Sequence, residues 1–399
     1  MAYAKPALGL DARLTAIVDA DYPRFSAAEM DRRRGLMARE MEKAGVDHLV
    51  ATAAFFRGGP VHWLSDWLTT YEAALVFSPG RKDTIFVQFY NHMPQARALM
   101  PGVDMRWGGP STIQSVIGEL KARGAKPKRV GAVGMVPMGY AKAITGAFED
   151  VIDLNPAYGR LRLVKSQEEI DWYRIAARLS DLPIEALQRE IRPGLDERDL
   201  GGITEAAYTP WRGSNIIHFF SSTAMRAPDC FVPRQHATVR KLARGDAISC
   251  EITASFWEHW GQVLRTFSIG EPLTPEYARL HEAAERAYDA ILGVLKPGIS
   301  ARELAIGARV IEDAGFTYYD DLVHGFGGGY FQPILGSPTR GHEPLPDMTL
   351  ETGMMMVIQP NVITKDQRAG VQTGELVVIT EAGAKSLHTV PRGPYVVGA

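Results

Sequence analysis

The chain has 399 residues, a length that suits two compact domains better than one. Hydrophobic residues make up 46% of it and charged residues 23%, which is typical of a globular protein and excludes a wholly disordered or fibrous chain. The formal net charge is only −2, so the chain lacks the basic excess that binds nucleic acid or anionic membranes.

Cysteine usage and apolar runs indicate where the protein works. Cys230 and Cys250 are too few for a disulfide framework or a CxxC metal site. The N-terminal segment lacks the apolar core of a secretory signal, and no apolar run approaches the roughly 18 residues that span a bilayer. We therefore expect a cytoplasmic protein with a small-molecule substrate and with neither a nucleic-acid nor a membrane partner.

The first part of the chain alternates short apolar strands with helices. Helices are predicted near residues 112–123 and 139–148, and the apolar strand runs are HLVATAA, AALVFSP, DTIFVQF and RVGAVG. Such an alternation of strand and helix is typical of an α/β domain, which we expect over residues 1–158.

The pattern breaks within the segment NPAYGR, residues 155–160, where we place the domain boundary. Ser166 and Glu169 form a capping box that begins a long amphipathic helix. Further helices are predicted over 275–295 and 300–315, the latter with Ser300 and Glu303 as its capping box. The strand-like runs are AISCEITASF, QVLRTFSIG, MMMVIQPNV and ELVVITEAG. Few helices and several mostly antiparallel strands predict an α+β domain over residues 159–399.

Five segments of this second half together form a recognisable pattern: LVKSQEEIDWYRIAA, ARGDAISCEITASFWEHWGQVLRTF, LVHGFGGG, LETGMMMVIQPNV and GELVVITEAG. They occur in the order found in the creatinase, aminopeptidase P and methionine aminopeptidase family. The chain resembles this family, and the resemblance implies an α+β protein of two domains: a small α/β creatinase-type N-terminal domain and a C-terminal pita-bread catalytic domain. It also implies a homodimer in which the N-terminal domain contributes to the neighbour's site.

The chain departs from this family at its metal ligands. Metallopeptidases of the family hold two divalent metals with two Asp, one His and two Glu. The resemblance places these positions at Glu251, Gln262, His324, Gln359 and near Gly374 or Glu375. Because an amide cannot supply the charge of a carboxylate, the two glutamines remove about half of the anionic ligands. We therefore expect no metal cofactor.

Metal-free members of the family, creatinase and ectoine hydrolase among them, open C–N bonds in small nitrogenous molecules. The resemblance thus implies a metal-independent hydrolase of an amide, amidine or lactam-type C–N bond. We expect Glu251 to activate water or attack the substrate, and His324 to carry the proton to the leaving nitrogen. Gln262, Gln359 and Arg265 are expected to hold the substrate.

Alternatives remain open for these residues. An unpaired Glu251 on an apolar strand would be unfavourable, so it either has a role in the site or forms an ion pair with Arg265. Arg265 could instead clamp a substrate carboxylate. The glycine run in VHGFGGGY lets the backbone approach a ligand near His324. A lone histidine or a strand glutamine can equally be structural.

A catalytic histidine of the family lies some eleven residues before Gly245, where this chain has Arg234. A short deletion would make His236 the catalytic base, and His218 is a further candidate for substrate binding. Both could equally be satisfied loop or core histidines.

The remaining candidates for substrate binding lie in loops. Arg340 and His342 follow the predicted His324 strand, and Arg57 lies in an aromatic stretch that could form a lid over a ring or a cation. Alternatively, Arg340 and His342 are ordinary residues of a surface loop, and the aromatic stretch is part of a buried core.

Three other functions are compatible with the same residues. The first is a metallopeptidase of the Xaa-Pro aminopeptidase or prolidase kind, with one Mn, Zn, Co or Fe ion held by Glu251, His324 and Glu375. The second is a lyase or decarboxylase, and the third a non-catalytic binding protein, because fold alone does not fix the reaction.

Overall fold

The structure is a computed structural model that describes residues 5, 7–53, 59–124, 129–230, 232–336 and 346–398. The candidates Arg57, Arg340 and His342 lie outside these residues. No helix in the described ranges is long and apolar enough to cross a membrane.

The described residues divide into two compact units, Asp19–Arg162 and Met1–Val18 together with Leu163–Ala399. The division falls four residues after the boundary expected from the sequence, and the start of the chain belongs to the larger unit. The contacts explain this assignment, because Arg13 pairs with Asp171 and Arg178 Nε donates to the Leu8 carbonyl at 2.6 Å.

The smaller unit is built on a six-stranded sheet of order β4-β3-β2-β1-β5-β6 with both parallel and antiparallel pairs. Its helices and strands are α2 (Ala27–Ala44), β1 (Leu49–Ala53), α3 (Gly59–Ser65), β2 (Ala73–Phe77), β3 (Thr84–Val87), α4 (Met93–Leu99), β4 (Asp104–Trp107), α5 (Thr112–Ala122), β5 (Arg129–Val133), α6 (Met138–Ala147), β6 (Asp150–Asp153) and α7 (Asn155–Leu161). Trp63 and Trp67, from the aromatic stretch, are buried in its core. The helix α7 occupies the segment that the sequence pattern treats as a break, and Pro156 in its first turn favours a helix start.

The larger unit contains a nine-stranded sheet whose central path is β12-β11-β13-β16-β9-β8-β7, and a three-stranded sheet β10-β14-β15. Its helices are α1 (Ala12–Asp19), α8 (Gln167–Glu190), α9 (Glu197–Tyr208), α10 (Pro275–Val294) and α11 (Ile306–Asp313). Its strands are β7 (Ser214–Ala224), β8 (Asp246–Phe256), β9 (His259–Ile269), β10 (Thr317–Tyr318), β11 (Val323–Phe326), β12 (Tyr330–Leu335), β13 (Met355–Ile358), β14 (Asn361–Ile363), β15 (Gly370–Gln372), β16 (Gly374–Thr380), β17 (Gly383–Ser386) and β18 (Tyr395–Val397).

The two capping boxes expected in this unit have different outcomes. Ser166 accepts from the Glu169 amide and Glu169 accepts from the Ser166 amide, so α8 begins where the sequence predicts. At 300–315 a 3₁₀ helix, Ala301–Ala305, precedes α11. Ser300 there accepts from the amide of Arg302, and the Glu303 amide donates to the Ser300 carbonyl, which is the i→i+3 bond of a 3₁₀ turn.

Candidate active site

The register of three strands places Glu251 and Gln262 on one face of the nine-stranded sheet. Glu251 on β8 is paired with Leu264 on β9, and Leu264 is paired with Gly374 on β16. Directly paired residues share a face, and so do residues two apart on one strand. Gln262, two residues before Leu264, therefore lies on the Glu251 face.

His324 reaches the same face through the neighbouring strands. Leu376, two residues after Gly374, is paired with Val357 on β13, and Val357 is paired with His324 on β11. Gln359 follows β13 directly, and its side chain meets Gln262. Residues far apart in the chain thus converge because the strands that carry them are neighbours.

A chain of amide hydrogen bonds connects these residues. Gln262 Nε2 donates to Glu251 Oε1 at 2.7 Å and to Gln359 Oε1 at 2.8 Å. Gln359 Nε2 in turn donates to the Asp321 carbonyl at 3.1 Å, and Asn361 Nδ2 donates to Asp320 Oδ2 at 3.0 Å. The acceptors Glu251, Asp320 and Asp321 therefore fix which way each amide group points.

Three buried acceptor atoms of this cluster have no hydrogen-bond partner among the described residues: Gln262 Oε1, His324 Nε2 and Asn361 Oδ1. His324 Nδ1 lies 3.1 Å from the Gly325 carbonyl oxygen, so Nδ1 carries the proton and Nε2 presents a lone pair. Buried polar atoms are nearly always paired, so these acceptors are available to a hydrogen-bond donor, either ordered water or a ligand.

Burial shifts the two titratable groups in opposite directions. Burial and the negative charge of Asp320 raise the pKa of Glu251 to about 8. Burial lowers the pKa of His324 to about 4, although the Gly325 carbonyl and the Gln359 side chain oppose this shift. At neutral pH Glu251 is therefore mostly a protonated acid and His324 a neutral base.

Arg265 is not part of this cluster. It is paired with Cys250 and lies on the opposite face of the sheet. Its buried guanidinium donates to Glu375 Oε2 at 2.6 Å and to four backbone carbonyls, those of Leu264, Gly374, Val390 and Pro391. This differs from both expectations for Arg265, because these bonds leave it neither pairing with Glu251 nor clamping a substrate.

Glu375 is likewise directed away from the site. It is paired with Val263, on the Arg265 face, and accepts from Tyr288 Oη at 3.1 Å. Burial opposes ionisation of Glu375, but Arg265 holds its pKa below the ordinary value. The residue that shares the face of Glu251 is Gly374.

The upstream histidines also lie outside the cluster. His218 is paired with Ile252, on the opposite face from Glu251, and its Nε2 lies 3.1 Å from Tyr208 Oη. His236 is exposed in a loop, and in the described ranges no hydrogen bond joins it to the cluster. Arg234, at the expected histidine position, donates to Glu197 at 3.0 Å.

Three site residues were not expected from the sequence: Asp320, Asn361 and Tyr330. The Tyr330 ring stacks on His324 with a centroid distance of 3.8 Å and an interplanar angle of 18°. Tyr330 directly follows the glycine run, and a long polar aromatic after a turn that returns to the His324 strand is the signal that could have identified it. Asp320 and Asn361 belong to the site because of their hydrogen bonds in the amide chain, and no sequence motif marks either residue.

Comparisons with solved structures identify the fold. A Xaa-Pro dipeptidase from Bacillus anthracis superposes with a TM-score of 0.77 over 92% of this chain and 100% of that one, at 19% identity. An X-Pro aminopeptidase from Thermotoga maritima gives 0.78 over 92% and 99%, also at 19% identity. The expected two-domain architecture with a pita-bread catalytic domain is thereby confirmed.

Sequence comparison identifies the family. Residues 171–381, more than half of the chain, match metallopeptidase family M24, and the chain belongs to this family. A Xaa-Pro dipeptidase from Pyrococcus furiosus is 28% identical over 58% of this chain and 65% of its own length, just under two thirds. A creatinase from Bacillus sp. is 24% identical over 93% of each chain.

The family implies a dinuclear metal centre, and the residues present do not fit one. Of its five ligand positions, this chain offers one carboxylate, one imidazole and two amides that bond to each other. At Gly374 a Cβ atom would lie 2.3 Å from the Ile358 carbonyl oxygen, so no side chain fits there. In the described ranges no three His, Cys, Asp or Glu residues are grouped to hold a metal. The set Glu251, His324 and Glu375 lies on two different faces.

Proposed function

We propose that the protein is a metal-independent hydrolase that cleaves a C–N bond of the amide, amidine or lactam type in a small polar molecule. One observation carries the proposal: the single amide nitrogen of Gln262 donates to both Glu251 and Gln359. The two bonds tie Gln262 and Gln359, which occupy two of the family's ligand positions, to each other and to Glu251. A metal site would instead need free anionic oxygens at these positions.

The roles of the two titratable groups are the reverse of those expected from the sequence. His324 Nε2, buried and neutral, accepts a proton from the attacking water. The water oxygen bonds to the substrate carbon, and the C–N bond then breaks as protonated Glu251 gives its proton to the leaving nitrogen. Proton return from His324 to Glu251 through solvent restores the starting state.

The unpaired acceptors supply substrate binding. Gln262 Oε1 and Asn361 Oδ1 accept from N–H groups of the substrate, and the charge of Asp320 favours a substrate with positive character. The full-length similarity to a creatinase supports a small nitrogenous substrate.

A second candidate function is a Xaa-Pro dipeptidase, which the similarity to that enzyme from Pyrococcus furiosus favours. It would require a metal ion bound by a site with one carboxylate and one imidazole. We rank it below the first because Glu375, the third ligand it needs, bonds to Arg265.

The two candidates differ in metal content and in response to chelator. We would purify the protein without chelator or added metal, measure its metals by inductively coupled plasma mass spectrometry, and follow hydrolysis of amides, amidines and lactams by proton NMR. The proposal expects far less than one equivalent of metal, and turnover that persists in excess chelator and disappears in Glu251→Gln and His324→Asn. Exposed Glu351→Gln is the matched control.

A stoichiometric transition metal whose removal abolishes turnover and whose return restores it would overturn the proposal in favour of the dipeptidase. Metal-dependent cleavage of Xaa-Pro dipeptides, with no turnover of the other compounds, would do the same.

A further inference from the structure

Tyr330 stands between His324 and the solvent. Its ring lies nearly parallel to the imidazole, with the centroids 3.8 Å apart, and the residue is 47% exposed while His324 is fully buried. The tyrosine therefore contacts both water and the proposed base.

The charges of the cluster influence the phenol of Tyr330. Burial raises the pKa of the phenol, as do the charges of Glu251, Asp320 and Asp321, while the Gln359 amide opposes the shift by hydrogen bonding. The phenol is therefore electrostatically coupled to these residues, while the contact that the geometry shows is the ring stacking on His324.

The glycine run before Tyr330 makes this placement possible. Gly328 and Gly329 have φ angles of 74° and 156°, in the left-handed region that favours glycine. The turn reverses the chain so that Tyr330 on β12 pairs with Phe326 on β11, two residues beyond His324. The short glycine turn therefore brings the ring of Tyr330 next to His324.

We propose that Tyr330 is a positioning residue that acts through His324: its ring holds the plane of the imidazole and shields it from bulk water, so that the lone pair of Nε2 stays away from bulk solvent. The inference rests on the proposed role of His324 as the base. It assigns to Tyr330 a function that neither the fold nor the family match assigns.

Chemical modification of His324 tests this cover without needing a substrate. Diethyl pyrocarbonate reacts with the unprotonated nitrogens of accessible imidazoles, and peptide mass spectrometry after brief exposure locates each modified histidine. We expect slow modification of His324 in the native chain and in Tyr330→Phe. In Tyr330→Ala we expect it to be faster by at least about tenfold, because a buried group reacts only as often as its surroundings open.

The chain supplies its own standards for this experiment. Exposed His236 reports the reagent dose, and His62 and His388, whose side chains are buried, report global unfolding. Tyr90→Ala removes an exposed tyrosine from the smaller unit, is 69% exposed in the native chain, and should leave the rate at His324 unchanged. If His388 becomes reactive in Tyr330→Ala, Tyr330→Leu takes its place, because a larger apolar side chain preserves more of the packing.

Rescue by phenylalanine separates a ring that covers His324 from a general loss of structure. Protection in Tyr330→Phe together with exposure in Tyr330→Ala or Tyr330→Leu, while His62 and His388 stay unreactive, supports the proposal. Fast modification of His324 in the native chain overturns it, and so does equal protection in all variants. A metal-dependent turnover found separately would remove the role of His324 as base but would not alter these rates, so the two failures are distinguishable.

Discussion

Burial and the charge of Asp320 make ionisation of Glu251 unfavourable, and this links stability to pH. The pKa of Glu251 in the folded chain, about 8, lies above its ordinary value of 4.5. The stability that the protonated group contributes is thus fully present below pH 4.5 and is lost as the pH rises through about 8.

We therefore expect Glu251→Gln to be more stable than the native chain at alkaline pH, by a few kcal/mol as an order of magnitude. The glutamine cannot ionise, and its carbonyl oxygen can still accept from Gln262. Urea unfolding at a series of pH values measures the difference, which should grow from pH 4.5 to about 8 and then level off. Glu351→Gln, at an exposed position, should show no such growth, and a difference independent of pH would contradict the linkage.

The amide pair also predicts how a metal site could be restored. In the double variant Q262D/Q359E, three carboxylates and His324 share one face, and the amide bonds that hold Glu251 are lost. We expect this variant to bind about one equivalent of Mn²⁺ or Zn²⁺, because hard and borderline cations require several anionic oxygens. Isothermal titration calorimetry measures the binding.

Each single variant supplies one carboxylate fewer and is the matched control for the double variant. We expect each single variant to bind the metal ion more weakly than the double variant does. Failure of the double variant to bind any metal, while remaining folded, would mean that the geometry and not the lost charge excludes the ion.

Strand alternation explains which site residues the sequence could identify. Gln262 and Gln359 were predicted from their ligand positions, and they meet on one face. Arg265 lies three residues after Gln262 on the same strand, so simple alternation already places it on the other face. Tyr330, Asp320 and Asn361 depend on a turn and on contacts between distant strands, which no local pattern in the sequence reports.

At the level of elements, Gly261 determines how closely β9 approaches α8. A Cβ atom on Gly261 would lie 2.3 Å from the Ala176 carbonyl oxygen, and the Gly261 carbonyl accepts from Ser180 Oγ. The bare backbone thus permits the helix and the strand to bond directly. This strand also carries Gln262, so the contact helps to position the site.

Gly261→Ala should lower the free energy of unfolding by about 1–3 kcal/mol, because overpacking forces the helix and strand apart. Gly202→Ala is the matched control: Gly202 lies inside α9 with open space around it, and alanine there should stabilise the chain by about 0.5–1 kcal/mol. Chemical denaturation compares the two. Equal effects would contradict the close approach at Gly261.

The two capping boxes expected from the sequence show how far a helix start can be predicted. The box at Ser166 has both of its bonds, and α8 begins there. The same Ser-x-x-Glu pattern at Ser300 gives a 3₁₀ helix, in which the hydroxyl accepts from Arg302 and the Glu303 amide donates to the Ser300 carbonyl. The pattern alone does not distinguish these two outcomes.

At the scale of the whole molecule, each unit has hydrophobic clusters of its own. In the smaller unit one cluster includes Leu49, Leu75 and Val133, and another includes Val50 and Val130 on the same strands. A sheet with buried residues on both faces has the core that independent folding needs.

A fragment of residues 19–162 should therefore unfold cooperatively by itself. We would follow unfolding by circular dichroism during heating. In the same experiment the full chain is expected to unfold in more than one step. The fragment with Leu75→Asp, which buries a charge in the core, is the unfolded control. A gradual, non-cooperative melt of the parent fragment would refute the expectation.

The pairing of Arg13 with Asp171 also constrains events on the ribosome. The two residues are 158 positions apart, and the whole smaller unit is translated between them. At about 5–20 residues per second, α1 waits on the order of ten seconds or more before its partner on α8 emerges. The nascent N-terminal segment must therefore stay available while the smaller unit forms, and a chaperone or a premature contact at that stage would compete for α1 before α8 exists.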